Sequence, residues 1–246
     1  MNDVELARQV ATTAGQLLVE LRRSNLFEGK ALGAAGDHVA NAFIMQALRA
    51  QRPDDAILSE EEKDNAARLQ SRRVWIVDPL DGTREFGEAR DDWAVHIALA
   101  VDGVASVGAV ALPDLPMTLC TDDQHVQRRR GAPLCMVVSR TRPAAEALAV
   151  AQALGAVLLP MGSAGAKTMA VVRGAADIYL HSGGQYEWDS CAPVAVAQAA
   201  GLHVSRMDGS PLRYNQPDSY MPDLLVCVKQ DAARVIELAA SVKLAK

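Results

Sequence analysis

The chain has 246 residues, half of them apolar, 22% charged and only 4% aromatic, with a formal net charge of −5. Such a composition suits one globular domain or two intimately packed halves of roughly 100–150 residues each. It excludes a binder of nucleic-acid polymers, which needs a concentrated basic surface or aromatic stacking platforms, and no stretch reaches the roughly 18 apolar residues of a membrane span.

In chain order, Leu6, Val10, Ala14, Leu17, Leu18 and Leu21 recur at helical spacing and predict a helix over 3–23. Its acidic start lacks the basic-then-apolar pattern of a signal peptide, so a cytoplasmic protein is expected. Gly29, Gly33 and Gly36 read as a glycine-rich loop, followed by Asp37 as the N-cap of a second helix through Gln51. Arg52-Pro53-Asp54-Asp55 breaks that helix, and Ala56-Ile57-Leu58 is a short strand running into Ser59-Glu60-Glu61-Glu62. The apolar run Val74–Val77 is a second strand expected to stop at Asp78-Pro79.

Residues 93–112 predict two strands joined by an Asp102-Gly103 hairpin, with His96 a packed residue on the first. More strand is expected near 117–121 and 134–138, with Arg128-Arg129-Arg130 in a solvated hairpin or loop. Helices over 143–154, 165–173 and 190–200 then alternate with strands over 156–160 and 176–180, a βαβ arrangement. The change of texture divides residues 1–133 from 134–246. The cysteines at 120, 135, 191 and 227 form no CxxC pair, which argues against a zinc cluster or a disulfide scaffold and fits a reducing compartment.

Two acidic clusters sit at the ends of predicted strands: Glu60-Glu61 after the first, Asp78 and Asp81 after the second. If the strands are neighbours, the carboxylates converge and raise one another's pKa, a conflict that a hard divalent cation such as Mg²⁺ resolves. In DPLDGT, Pro79 forces a turn, both aspartates can face one point with the Leu80 carbonyl between them, and Gly82 lets backbone approach a ligand. Thr83 adds a hydroxyl suited to a phosphate oxygen or a bound water. Acidic turns that bind nothing are common, and Asp189 could simply N-cap the helix after it, with Trp188 a core residue.

Glu60-Glu61, WIVDPLDGTREF (75–86) and WDSCAP (188–193) together resemble, in order and spacing, the inositol monophosphatase-like superfamily of Mg²⁺-dependent, lithium-sensitive phosphatases. The resemblance implies an α+β or α/β fold of the layered αβαβα sugar-phosphatase type. Arg84-Glu85-Phe86, the segment 162–167 and DGSPLRYN (208–215) resemble the 3′(2′),5′-bisphosphate nucleotidase branch of the CysQ type, actinobacterial members above all. It implies that Glu60, Asp78 and the Leu80 carbonyl hold one Mg²⁺, and that Asp78, Asp81 and Asp189 hold a second. Asp37, placed by its twenty-three-residue distance from Glu60, would act with Thr83 on the nucleophilic water, with a third, weaker Mg²⁺. Gly82 and Thr83 would contact the scissile phosphate, and Ser163 and Lys167 the substrate.

The sequence departs from the family pattern at Ala34-Ala35-Gly36 before Asp37, and at Ala164 and Gly165. The expected reaction removes the 3′-phosphate of 3′-phosphoadenosine 5′-phosphate to give AMP, with the sulfated analogue a second small-molecule phosphate substrate. The alternatives are a broader inositol 1-phosphate or fructose 1,6-bisphosphate phosphatase and a silent phospho-ligand sensor. Apart from the resemblance, Lys167 would read as a solvated helix lysine. Homodimers are common in the family.

Overall fold

The computed structural model describes residues 1–123 and 133–244. It opens with α1 (Asp3–Arg23) and α2 (Gly29–Gln51), which pack on each other. A reciprocal capping box starts α1: the Asn2 side chain accepts from Glu5 N (2.8 Å), and the Glu5 carboxylate accepts from Asn2 N (2.9 Å). There follow β1 (Ala56–Ser59), β2 (Arg73–Asp81), the short α3 (Thr83–Gly87), β3 (Ala94–Val101), β4 (Val104–Leu112) and β5 (Met117–Cys120). These strands form one sheet in sequence order, with β1 parallel to β2 and the other pairs antiparallel.

The rest of the chain gives β6 (Cys135–Ser139), α4 (Ala145–Leu154), β7 (Val157–Met161), α5 (Ala164–Val172), β8 (Ile178–Tyr186), α6 (Glu187–Ala199), β9 (His203–Ser205), β10 (Tyr220–Cys227) and α7 (Ala232–Leu244). Its sheet runs β7-β6-β8-β10-β9, with β6 parallel to both neighbours and β10 antiparallel to both of its own.

Side chains that alternate across each strand separate three cores. On β2, Trp75 and Val77 pack with α1 and α2, whereas Val74 and Ile76 pack with α5 and α6. On the second sheet, Val137 and Tyr179 face that same middle layer, while Met136, Val138, Ile178 and Leu180 face α4 and α7. The layers are therefore α1/α2, sheet, α5/α6, sheet, α4/α7: the αβαβα sandwich expected.

Local departures from the sequence reading have physical causes. Residues 29–36 are helix, not loop, so Asp37 lies inside α2 and is not its N-cap. Glycine costs a helix about 1 kcal/mol against alanine, but a Cβ on Gly33 would sit 2.8 Å from Thr83 Cγ2, and one on Gly36 2.9 Å from Leu80 Cδ2. The glycines let the helix lie against the DPLDGT segment. Likewise β2 does not stop at Asp78-Pro79. It runs on to Asp81 through a register shift against β3, where the missing N–H of Pro79 costs no regular ladder bond.

Asp189 is not an N-cap but the third residue of α6, its Oδ2 accepting from the N–H of the cap residue Tyr186 (2.6 Å). Trp188 is only partly buried, stacked on Tyr186 at 5.0 Å. The four cysteines are buried and no disulfide joins them. The arginine run 128–130 lies outside the described residues.

Candidate active site

Parallel pairing of β1 with β2 brings the two acidic clusters to one sheet edge. Ser59 pairs with Val77, and Glu60 N continues the ladder to Val77 O (3.2 Å), so Glu60 and Asp78 leave neighbouring strands side by side. The helix α2 brings Asp37 to the same point, and α6 brings Asp189 from the second half of the chain. Asn41 of α2 supports the β1 end, accepting from Ser59 Oγ (2.9 Å) and donating to Glu62 Oε1 (3.0 Å).

Crowded, desolvated carboxylates hold their protons, and these do. Burial, then the charge of Glu61, pushes Asp37 up to about 7. Burial, then Asp189 and Asp37, does the same to Glu60, also to about 7. Burial with Asp81 raises Asp189 to about 6, and burial with Glu60 and Asp81 raises Asp78. Asp81 is the exception. Burial raises it, but His96, Lys167 and Ser163 outweigh that and hold it at about 2.

The Asp81 surroundings tie the two halves together. Its Oδ2 accepts from Ser163 Oγ (2.5 Å) and Gly165 N (2.6 Å), and His96 Nε2 approaches to 3.1 Å without hydrogen-bond alignment. Ser163 caps α5 in the left-handed region (φ 50), strain of order 1–3 kcal/mol that its hydroxyl offsets by bonding Asp81 and accepting from Ala166 N (2.9 Å). Fully buried, His96 engages Trp188 O through Nδ1 (3.0 Å).

The chemistry of the donor set fits a hard divalent cation. Each of three aspartates commits one oxygen to the protein: Asp78 Oδ1 accepts from Leu80 N (3.0 Å), Asp81 Oδ2 takes the α5 donors, and Asp189 Oδ2 takes Tyr186 N. No hydrogen bond from a described residue reaches Asp78 Oδ2, Asp81 Oδ1 or Asp189 Oδ1. Asp78, Asp81 and His96 place ligand atoms within 4.8 Å of one another. Beside them the Thr83 hydroxyl lies 3.3 Å from Asp37 Oδ1 and 3.1 Å from the Leu80 carbonyl. Gly82, at φ 94, turns the chain so that Thr83 can start α3.

Two cavities flank the cluster. One of about 670 Å³ opens on Asp37, Thr83, Lys30 and Arg84. The other, about 180 Å³, lies between the halves and is lined by Asp81, Gly82, Ser163, Lys167, Asp189, Arg140 and Arg142 among others. Lys167 is no solvated helix lysine. It is buried, donates to Ser163 O (2.7 Å) and Gly162 O (3.2 Å), and stands over the Tyr179 ring at 5.4 Å.

The structure thus gathers Asp37, Glu60, Asp78, Leu80, Asp81, Gly82, Thr83 and Asp189 at one sheet edge, with Ser163 and Lys167 across the smaller cavity. Sequence reasoning missed the residues that hold them. Buried Arg68 donates to Asp64, Asn215 Oδ1 (2.8 Å) and Gln216 O (3.0 Å), and buried Glu187 accepts from Asn215 N (2.6 Å) and Gln216 N (2.7 Å). This bridge joins the segment after Glu60 to the loop beside α6. Only Glu187, next to the WDS motif, gave a sequence cue.

The inositol monophosphatase family model matches residues 2–243. A 3′-phosphoadenosine 5′-phosphate phosphatase of Mycobacterium leprae is 49% identical over 252 residues, covering 96% of this chain and 92% of its own. The 3′(2′),5′-bisphosphate nucleotidase CysQ of Escherichia coli is 34% identical over 199 residues, 76% of this chain and 81% of its own. Among solved structures, CysQ from Bacteroides thetaiotaomicron superposes with a TM-score of 0.79 at 24% identity, covering 92% of this chain and 97% of that one.

Proposed function

The chain belongs to the inositol monophosphatase family, and from that premise we propose that it is a Mg²⁺-dependent phosphomonoesterase that hydrolyses 3′-phosphoadenosine 5′-phosphate to AMP and inorganic phosphate. The observation that carries this reading is the convergence of carboxylates from both halves beside the Asp37–Thr83 pair. The similarity to the Mycobacterium leprae phosphatase supports the substrate.

Glu60, Asp78 and the Leu80 carbonyl would hold one ion, Asp78, Asp81 and Asp189 a second, and Asp37 with Glu61 nearby a weaker third. When bound, such ions neutralise the phosphate oxygens and the charge that develops on the leaving oxygen. The chain's own groups do the rest. Thr83, within reach of Asp37, would orient the attacking water, and Asp37 would accept its proton. Gly82 and the N-terminal N–H groups of α3 face the scissile phosphate. His96, Lys167 and Ser163 keep Asp81 ionised, and Lys167 with Arg140 and Arg142 puts positive charge along the smaller cavity. A broader sugar-phosphate phosphatase would use the same acidic cluster.

Phosphate release from 3′-phosphoadenosine 5′-phosphate, inositol 1-phosphate and fructose 1,6-bisphosphate, with and without Mg²⁺, tests the reading. A higher kcat/KM for the nucleotide that vanishes with chelator is expected; preference for inositol 1-phosphate would overturn the substrate, and activity without metal the mechanism. We further infer a cytoplasmic homodimer. No described helix is long and apolar enough to cross a membrane, and light scattering on the eluted protein would report the oligomer.

A further inference from the structure

Every side chain of β3 but one is apolar, and the exception is His96. It is fully buried, as are Val95 and Ile97 on either side of it. An apolar side chain could fill the same space, whereas the imidazole leaves Nε2 buried without a hydrogen-bond partner among the described residues. Such atoms are uncommon in native interiors and call for a reason.

The surroundings of the ring supply one. His96 pairs across the sheet with Asp78, and its Nδ1 lies 4.0 Å from Asp78 Oδ2. Nε2 lies 3.1 Å from Asp81 Oδ2. Nδ1 also bonds Trp188 O (3.0 Å), and because a carbonyl only accepts, Nδ1 carries the proton. That carbonyl belongs to the peptide that leads into Asp189, in the first turn of α6. One side chain thus stands against two aspartates of the first half and the backbone of the third, which comes from the second half.

His96 is not itself placed as a ligand. Nδ1 is committed to Trp188, and Nε2 faces the start of α5, where even a Cβ on Gly165 would lie 2.0 Å away. The Asp81 oxygen that it approaches is the one already taken by Ser163 Oγ and Gly165 N.

We propose that His96 is the positioning residue of the second ion site: it holds the peptide before Asp189 at a set distance from Asp78 and Asp81, so that carboxylates from both halves keep the spacing one cation needs. The assignment rests on the reading of the acidic cluster as a Mg²⁺ site and is independent of which phosphate ester is the substrate.

The test follows the melting temperature of the substrate-free protein against Mg²⁺ concentration, at one pH, in wild type, His96→Leu and His96→Asn. Leucine keeps the apolar volume and loses both polar contacts. Asparagine places an amide N–H where Nδ1 stands and can still serve Trp188 O. Half-saturating Mg²⁺ should rise roughly 10- to 100-fold in His96→Leu, the usual loss when a residue that orients metal ligands is removed, and His96→Asn should recover much of it. With Mg²⁺ saturating, KM for 3′-phosphoadenosine 5′-phosphate should return to the wild-type value in both variants. Variants that melt earlier but keep the wild-type Mg²⁺ dependence would show a packing role only and overturn the proposal, as would an asparagine variant no better than leucine. A second measurement needs no variant: the downfield proton NMR signal of His96 Nδ1–H should shift when Mg²⁺ is added, and an unmoved signal overturns the proposal. A wild type whose melting ignores Mg²⁺ fells the metal site itself, and the proposal with it.

Discussion

Gly165→Ala adds one methyl group at the point where the two halves meet. A Cβ there would lie 2.0 Å from His96 Nε2, about 1.4 Å short of the 3.4 Å at which ordinary contact begins. His96 has nowhere to retreat: it is fully buried, bonded through Nδ1 to Trp188 O at 3.0 Å, with Nε2 3.1 Å from Asp81. Moving the ring sacrifices that bond, and moving α5 instead lengthens the Gly165 N to Asp81 Oδ2 bond of 2.6 Å. Overpacking of this kind costs about 1–3 kcal/mol and the lost bond about 1, so we expect ~2–4 kcal/mol in urea unfolding and a fall in melting temperature of roughly 5–15 °C. Turnover should drop as well, because Asp81 moves with either adjustment. In a His96→Ala background the clash disappears, and Gly165→Ala should then cost little. Equal costs in the two backgrounds, or a single variant as stable as wild type, would refute the account.

The raised carboxylates predict how pH and metal interact. Asp37 and Glu60 at about 7 and Asp189 at about 6 keep protons in the folded chain that the unfolded chain releases near pH ~4, so the metal-free protein loses stability as pH rises from ~4 to ~7 and levels off above. Asp81, at about 2, works in the opposite sense only below pH ~4. Because Mg²⁺ competes with those protons, its stabilising effect in thermal melts should be larger at pH 8 than at pH 5.5, and equal shifts would contradict the site. Asp37→Asn and Thr83→Ala should each lower kcat by roughly 10²–10⁴-fold with melting temperature nearly kept; a wild-type kcat would remove the pair from the chemistry. Arg68→Ala, which strands Asn215 Oδ1 and Gln216 O, should cost about 2–3 kcal/mol in urea unfolding and raise the Mg²⁺ concentration for half-maximal activity.

The strands and the acidic motifs were legible because they are written locally, while the layered fold was implied by the family resemblance. The apolar run at 74–77, the Asp102-Gly103 hairpin and the DPLDGT turn are properties of neighbouring residues. The glycines at 33 and 36 misled because their reason lies 44 or more residues away, in the packing of α2 on Leu80 and Thr83. Asp37 was located by spacing while its local setting was misread: a helix interior, not a cap, aims it at Thr83. Only the resemblance marked Lys167 as a substrate residue, because nothing beside it in sequence reveals Tyr179 below it. Arg68 was invisible for the same reason: apart from Asp64, its partners Asn215 and Gln216 lie 147 and 148 residues away.

The unusual Gly165 also finds its place here. In a chain that puts His96 opposite the start of α5, any side chain at 165 would collide with the imidazole. Its bare N–H reaches Asp81 Oδ2, which Ser163 Oγ shares. With that oxygen occupied by the second half of the protein, only Oδ1 would be left for the proposed cation, and Asp78 and Asp189 are divided in the same way. Protein donors from both halves thus determine which oxygen of each carboxylate would be left for the proposed metal. A break anywhere along the α5 cap should therefore weaken metal affinity before it alters any group that touches substrate.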